Sequence, residues 1–251
     1  MSVQYAYDGS FPGLLCVLCA SLGAGERPFD IVSEVEFQPA LLAPTVPVTT
    51  DEERAGRFME RITTVMGRHV RRTFVRAFLS DLPGRELRLY DYLAFLRDRG
   101  SRGDACLTHP AVAPVHDLAR QVTVEAHRLT GLVRFARVGD GLLLAVMEPR
   151  HRVLPLIAPH FTRRFPAERW AMLDVGRGAG LYWDTKDIHE VESGPETARL
   201  LNSPPVEEEQ DIYEKMWRRY FRDIAIPERR NLRCQRRFMP VRYWKYLTEK
   251  R

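Results

Sequence analysis

The sequence predicts an α+β fold: an antiparallel, hairpin-based sheet flanked by amphipathic helices, with a basic, aromatic C-terminal arm. Two strand-like segments surround the Gly-Asp-Gly stretch at residues 139–141, and two more surround the glycine-rich stretch at 176–179. Apolar segments joined by short glycine turns are typical of β-hairpins. Because hairpins rather than strand–helix–strand crossovers occupy the middle of the chain, a parallel nucleotide-binding fold is not supported.

The first fifty residues predict a short strand, a helix, a second strand and a connector. Ser10 is suited to cap the start of the helix, and Gly23 or Gly25 to end it. Apolar and polar residues alternate over 30–37, which predicts a strand. The proline-rich segment 39–50 cannot form a regular helix.

Three helices are predicted before the hairpins. Thr50 and Glu53 form the capping-box pattern at the start of a long amphipathic helix, in which apolar residues recur with the 3.6-residue period. Gly67 lies inside this helix and is expected to bend it. Further helices are predicted over 85–99 and 110–129.

We predict a body over residues 1–204, helical over 50–129 and rich in β-hairpins over 130–187. Residues 205–251 are predicted to form a basic helix and arm that pack on this body. The helix begins near Asp211, and its apolar face consists of Ile212, Met216, Tyr220, Phe221 and Ile224.

The charge of the chain is strongly polarised. Residues 215–251 contain thirteen Lys and Arg against three Asp and Glu, a net charge of +10, whereas the rest of the chain carries −5. A basic surface of this kind attracts polyanions such as nucleic acid and, less specifically, anionic membrane.

Cysteine and histidine usage predicts neither a metal site nor a bound cofactor. Cys16 and Cys19 have redox or zinc spacing, but both lie in an apolar run without a second pair, which favours buried helix packing. Four cysteines also do not form a disulfide framework, so we expect a reducing, cytoplasmic location. The apolar run is too short to span a bilayer and lacks a preceding basic segment, so no membrane association is expected. His109 and His116 could share a helix face, but no acidic residue follows at ligand spacing.

The last 23 residues, RRNLRCQRRFMPVRYWKYLTEKR, interleave basic and aromatic residues. Basic side chains neutralise phosphates and aromatic rings stack on unpaired bases, a combination that suits single-stranded DNA or a distorted duplex. The phosphate-binding candidates are Arg229, Arg230, Arg233, Arg236, Arg237, Arg242 and Lys245, and the stacking candidates are Tyr243 and Trp244. Alternatively, the aromatic side chains pack on the body and the arginines pair with its acidic groups; the sequence leaves both readings open.

A second set of candidates lies around the hairpins. Histidine–arginine pairs can bind phosphate or polarise an oxygen, and aspartates can act as acids or bases. The candidates for a catalytic pocket are His127, Arg134, His160, Arg164, Asp174 and Asp184. Ordinary salt bridges and turn caps are the alternative.

Residues 176–180, GRGAG, could suggest a phosphate-binding loop. That motif needs a helix after the glycines, whereas a strand-like segment follows here. We therefore predict a tight hairpin turn, with Arg177 at its tip still able to contact a phosphate.

Five stretches carry a family resemblance: YDGSFPGLL (7–15), HRLTGLVRF (127–135), EPRHRVLPLIAPHFTRRFP (148–166), RWAMLDVGRGAGLYWD (169–184) and RRNLRCQRRFMPVRYWKYL (229–247). Together they resemble an uncharacterised bacterial family assigned to DNA metabolism or DNA repair and built on a domain of unknown function. Pro12 stands where an acidic residue is expected.

The resemblance implies a DNA-repair or DNA-modification context. Members of that family are typically encoded beside a radical-SAM protein related to DNA-lesion lyases, and some are joined to a uracil-DNA-glycosylase-like domain. A radical-SAM iron–sulfur protein is thus the implied partner, but the resemblance supplies no reaction and no catalytic residues.

The leading hypothesis is a DNA-binding accessory module that works with a radical-SAM partner. The alternative is an enzyme that acts directly on a damaged or modified base or nucleotide. A third reading is a protein–protein adaptor whose basic arm docks on the radical-SAM protein.

Overall fold

The chain forms two compact units, residues 1–123 and 124–251, which divide inside one long helix. The structure is a computed structural model that describes residues 3–34, 44–139, 141–192, 194, 207–224, 226–229 and 231–250. The sequence placed a division at residue 204 instead, and the described part of the predicted C-terminal segment lies within the second unit. Arg230, residues 39–43 of the predicted connector and residues 35–37 of the predicted strand lie outside the described residues.

The first unit contains a three-stranded parallel sheet. Strand β1 (Gln4–Tyr7) lies between β2 (Asp30–Ser33) and β3 (Thr45–Pro47), and both neighbours run parallel to it. The predicted α+β class is confirmed, but the prediction of an antiparallel, hairpin-based sheet did not include this parallel sheet. Helix α1 (Phe11–Ala24) connects β1 to β2, and a helical crossover of this kind is what joins parallel strands.

Helix α1 has the ends that the sequence predicted. The Ser10 side chain accepts a hydrogen bond from the amide of Gly13 (2.9 Å), and Gly25 ends the helix in the left-handed conformation (φ 76°). Cys16 is fully buried and Cys19 is half-buried, as expected for residues that pack the helix.

The three predicted helices are present as α2 (Glu52–Phe78), α3 (Arg85–Arg99) and α4 (Ala113–Leu132). Gly67 interrupts α2 with non-helical angles (φ 91°, ψ 163°), which confirms the expected bend. Such a positive φ favours glycine because it has no Cβ.

The cap of α2 differs from the predicted capping box. Asp51, rather than Thr50, accepts a hydrogen bond from the amide of Arg54 (2.9 Å). The Thr50 hydroxyl instead donates to Asp8 (2.7 Å), whose carboxylate also accepts from the amide and hydroxyl of Ser10. Asp8 therefore connects the start of α1 to the start of α2.

The second unit contains a mixed five-stranded sheet in the order β4-β5-β6-β7-β8. Its strands are β4 (Phe135–Val138), β5 (Leu142–Met147), β6 (Trp170–Asp174), β7 (Ala179–Trp183) and β8 (Ile188–Glu192). Both predicted hairpins, β4–β5 and β6–β7, are confirmed, and β8 adds a further antiparallel strand. The central pair β5–β6 is parallel, because helix α5 (Leu154–Arg164) crosses between these strands.

The C-terminal segment contains helices α6 (Glu207–Asp223) and α7 (Leu232–Phe238), then 3-10 turns over Val241–Tyr246 and Thr248–Lys250. Four residues of the predicted apolar face of α6 are each more than half exposed: Ile212, Met216, Tyr220 and Ile224. These four apolar side chains are therefore largely open to solvent. Across the described residues, we find no helix with the length and apolar character needed to cross a membrane.

Replacement of Gly13 by alanine should destabilise the protein. A Cβ at this position would lie 2.2 Å from Oδ1 of Asp8 and 2.7 Å from Oγ1 of Thr50, so the hydrogen-bonded pair between α1 and α2 would have to separate. We expect Gly13→Ala to lower the free energy of unfolding by about 1–3 kcal/mol in urea denaturation.

Gly23→Ala is the matched control, because it lies on the same helix with no atom within 4 Å of an added Cβ. It should be neutral or stabilise by up to about 1 kcal/mol. Equal stabilities of the two variants would contradict the close approach of Asp8 and Thr50 to Gly13.

Candidate nucleic-acid interface

A buried carboxylate on α4 binds the C-terminal segment to the second unit. Glu125 is 7% exposed and accepts hydrogen bonds from the amides of Arg150 (2.9 Å) and His151 (2.7 Å). The hydroxyl of Tyr243 donates to the same carboxylate. Burial, and then this hydrogen bond, raise the pKa of Tyr243, so its phenol remains a donor at neutral pH.

Arg177 also holds the segment from Glu148 to His151 in place. The guanidinium donates to the carbonyl oxygens of Pro149 (3.1 Å) and Arg150 (2.7 Å) and to the buried carboxylate of Asp174. The predicted hairpin turn is confirmed, and Arg177 is directed to this internal network. The main chain of Arg150 is therefore fixed at both its amide and its carbonyl.

A second anchor forms at the end of the described chain. The guanidinium of Arg134 donates to Glu249 through two nitrogens (2.7 and 3.3 Å), and the indole of Trp217 donates to the same carboxylate (3.0 Å). Burial raises the pKa of Glu249, but hydrogen bonds from Arg134, the backbone and Trp217 outweigh it and lower the pKa overall. Glu249 is therefore ionised when it binds Arg134.

Lys245 pairs with an acidic group at the rim of the same unit. Its ammonium and the hydroxyl of Tyr246 (3.1 Å) both donate to Glu148. The Lys245 hydrogen bond, then that of Tyr246, holds the pKa of Glu148 below its usual range. Lys245, which was predicted to bind phosphate, is thus ion-paired in the structure, although 61% of its side chain is exposed.

Helix α7 presents a basic face. Arg233, Arg236 and Arg237 are all exposed, and their i, i+3, i+4 spacing places them on one side of the helix. None of the three is paired with a carboxylate among the residues whose side chains the structure describes. We call this set the α7 arginine face.

Phe238 follows this face and was not among the predicted stacking residues. It is 63% exposed, and the guanidinium of Arg237 lies 5.9 Å from its ring centroid. Its position directly after Arg236 and Arg237 was the available sequence signal. An exposed ring beside cations matches the arrangement that binds unpaired bases.

The predicted stacking residues are used differently. Tyr243 is 3% exposed, so its ring cannot stack on a base in this arrangement, and that assignment is corrected. Trp244 is half-buried, donates to the carbonyl of Met239 (2.9 Å) and carries the Lys250 ammonium 4.7 Å from its ring. The arm therefore uses these rings for packing.

A cationic pocket of about 440 Å³ opens where the arm meets the end of β5. It is lined by Glu148, Pro149, Arg150, Val241, Arg242 and Lys245. Arg150 is exposed, and the Arg242 guanidinium lies 3.9 Å from Glu125 at the limit of an ion pair. The lining side chains carry a net charge of +2. The sequence did not indicate Arg150, because nothing local shows that it meets the C-terminal arm.

The six predicted catalytic residues do not form one hydrogen-bonded group in the structure. Arg134 and Asp174 are engaged by Glu249 and Arg177, respectively. Asp184 caps the turn after β7 through the amides of residues 186 and 187 and pairs with His189 (2.8 Å). The remaining three candidates, His127, His160 and Arg164, lie on α4 and α5, with His127 and Arg164 exposed and His160 half-buried.

The first unit contains a polar cluster that the sequence did not reveal. Buried Asp104 accepts hydrogen bonds from the hydroxyl of Tyr92 (2.6 Å) and from His116 (2.6 Å), and His69 lies 3.3 Å from its other oxygen. His109 instead stacks on Phe95, with ring centroids 3.9 Å apart. Across the described ranges, no group of His, Cys, Asp and Glu is arranged to hold a metal ion.

These features define an α+β protein whose basic C-terminal segment is anchored to a mixed sheet. The chain belongs to the DUF4130 family, a domain of unknown function, which matches residues 83–249. The match thus extends from the start of α3 to the Glu249 anchor. Neither the curated proteins nor the solved structures contain a match to this chain.

Tyr243→Phe should weaken the attachment of the arm, because it removes one donor to a buried carboxylate. We expect a loss of about 1–3 kcal/mol in the free energy of unfolding, measured in urea. Tyr220→Phe is the control, since Tyr220 is 53% exposed on α6 and should change stability by less than about 0.5 kcal/mol. Similar values for the two variants would argue against the Glu125–Tyr243 hydrogen bond.

Proposed function

We propose that this protein is a DNA-binding accessory module for DNA repair or modification that works with a radical-SAM partner. The observation that carries the proposal is the α7 arginine face, three exposed arginines on one side of a helix. Two anchors follow this helix in the chain, Tyr243 on Glu125 and Glu249 on Arg134, and they attach the segment to the folded unit. A helix attached in this way can hold its charges toward a phosphate backbone with less loss of conformational freedom than a free tail.

Single-stranded or distorted DNA is the favoured ligand. Arginine binds phosphate through two parallel hydrogen bonds, and the three arginines can contact successive phosphates of a strand. Phe238, exposed at the end of the same helix, supplies a ring on which an unpaired base can stack. A regular duplex keeps its bases stacked and would leave this ring without a base to contact.

Replacement of Arg233, Arg236 and Arg237 by alanine should weaken DNA binding and reduce its dependence on salt. Loss of three phosphate contacts should reduce the slope of log K against log salt by about 2 for single-stranded DNA. Fluorescence anisotropy with labelled single strands and duplexes, at several salt concentrations, measures this slope.

The control variant removes Arg57, Arg120 and Arg219, which are also exposed. Each of these arginines pairs with a carboxylate on its own helix, namely Glu53, Asp117 and Asp223. Both variants remove three arginines, so the change in net charge is the same. We expect this control to retain most of the wild-type slope. If the two variants lose the same amount of salt dependence, net charge alone accounts for binding, and the α7 arginine face is not the binding site.

The exposed apolar face of α6 supports a protein partner. Ile212, Met216 and Tyr220 follow an i, i+4, i+8 pattern and are each more than half exposed. An amphipathic helix commonly binds a partner through such a row of apolar side chains. The family resemblance implies a radical-SAM protein encoded nearby, and we assign this face to it.

Co-purification of the chain with that neighbouring radical-SAM protein tests the partner. Ile212→Glu combined with Met216→Glu should abolish the interaction, because charges would have to be buried in an apolar interface. Val65→Glu with Leu107→Glu is the control, since both residues are exposed apolar side chains of the first unit. Absence of a complex with the wild-type chain would reject the partner without affecting the test of DNA binding.

A further inference from the structure

The pocket at the end of β5 has the chemistry of a phosphate site. Two guanidiniums and one ammonium, those of Arg150, Arg242 and Lys245, line a cavity of about 440 Å³ together with the carboxylate of Glu148. This volume falls within the range of about 300–1,000 Å³ that is common for small-ligand sites. A site of about this volume accommodates one nucleotide or the end of a strand.

The position of Arg150 is determined before any ligand binds. Its amide donates to Glu125 and its carbonyl accepts from Arg177, so both ends of the residue are held while its side chain is exposed. No carboxylate pairs with the Arg150 side chain among the described residues. A guanidinium that has no carboxylate partner, on a residue whose main chain is held in place, favours the binding of an added anion.

The other two cations can turn toward a ligand at small cost. The Arg242 guanidinium is 3.9 Å from Glu125, a carboxylate that already accepts from Tyr243 and two backbone amides. Lys245 pairs with Glu148, but this pair is exposed on both sides, and such pairs are weak. An incoming phosphate could therefore replace Glu148 as the partner of Lys245.

We propose that this pocket binds a phosphomonoester of a nucleotide, carried by a strand end or by a mononucleotide. A phosphomonoester carries a charge of about −1.5 to −2 at neutral pH, which matches the +2 of the lining, whereas a phosphodiester within a strand carries only one negative charge. The strand-end form of the ligand rests on the proposed DNA binding. The α7 arginine face lies a few residues before Arg242, so a strand bound there can place its end in the pocket.

The experiment compares one oligonucleotide in three forms: with a 5′-phosphate, with a 3′-phosphate, and with hydroxyl groups at both ends. Binding to the full chain is measured by anisotropy, and a nucleoside 5′-monophosphate is measured separately by calorimetry. We expect one phosphorylated form to bind about tenfold more tightly than the hydroxyl form, as for one additional charged hydrogen-bonded contact.

Arg150→Gln should remove this preference and leave the affinity for the hydroxyl form within about twofold of wild type. Arg163→Gln is the control, because it removes an exposed arginine from α5 in the same unit and should retain the preference. Circular dichroism and thermal unfolding establish that both variants are folded.

The outcomes separate this inference from the proposed function. DNA binding without any end preference, and without binding of the mononucleotide, would overturn the pocket assignment and leave the DNA-binding module intact. Binding of the mononucleotide that depends on Arg150, without binding of any oligonucleotide, would reject the module and support the mononucleotide form of the site. An end preference that survives Arg150→Gln would also overturn the pocket assignment.

Discussion

The buried carboxylate of Glu125 is the interaction on which the candidate site depends. It joins three segments that are far apart in sequence: the second half of α4, the segment after β5 and the C-terminal arm. A buried carboxylate is costly unless its oxygens are hydrogen-bonded, and here two amides and a phenol supply the donors. Because removing any donor leaves part of a charge unsatisfied, the arm and the segment after β5 are held in one arrangement. The pocket forms between these two segments, so its shape follows from the same carboxylate.

Local signals in the sequence predicted the elements well, but not their pairing. Ser10 as a cap, Gly67 as a bend and the two hairpins each depend on residues within a few positions, and the structure contains all of them. The parallel pair β5–β6 was missed, because strand pairing is not a local property of the sequence. In the structure, α5 crosses between these two strands, and a crossover helix of this kind makes the pair parallel.

The site was predicted less completely, because its contacts span long sequence separations. Tyr243 and Glu125 are 118 residues apart, and nothing near Tyr243 distinguishes a ring that packs from a ring that stacks on a base. Asp104, which binds Tyr92 and His116, was missed for the same reason. In contrast, a high local density of charge is a property that sequence does report, and the structure leaves Arg233, Arg236 and Arg237 of that segment exposed.

The basic residues of the second unit fall into two groups: those that pair with its acidic side chains and those that remain exposed without such a pair. The carboxylates of Asp174 and Glu249 are buried and bind Arg177 and Arg134, and these two pairs hold the unit together, whereas the Glu148–Lys245 pair is exposed and weak. Since these carboxylates are already occupied, they are not free to neutralise the α7 arginine face or Arg150. A segment with excess positive charge can thus be fixed to a protein through a few specific pairs while its remaining arginines stay exposed. For this protein, the argument for a polyanionic ligand rests on those remaining arginines, rather than on the net charge of the chain.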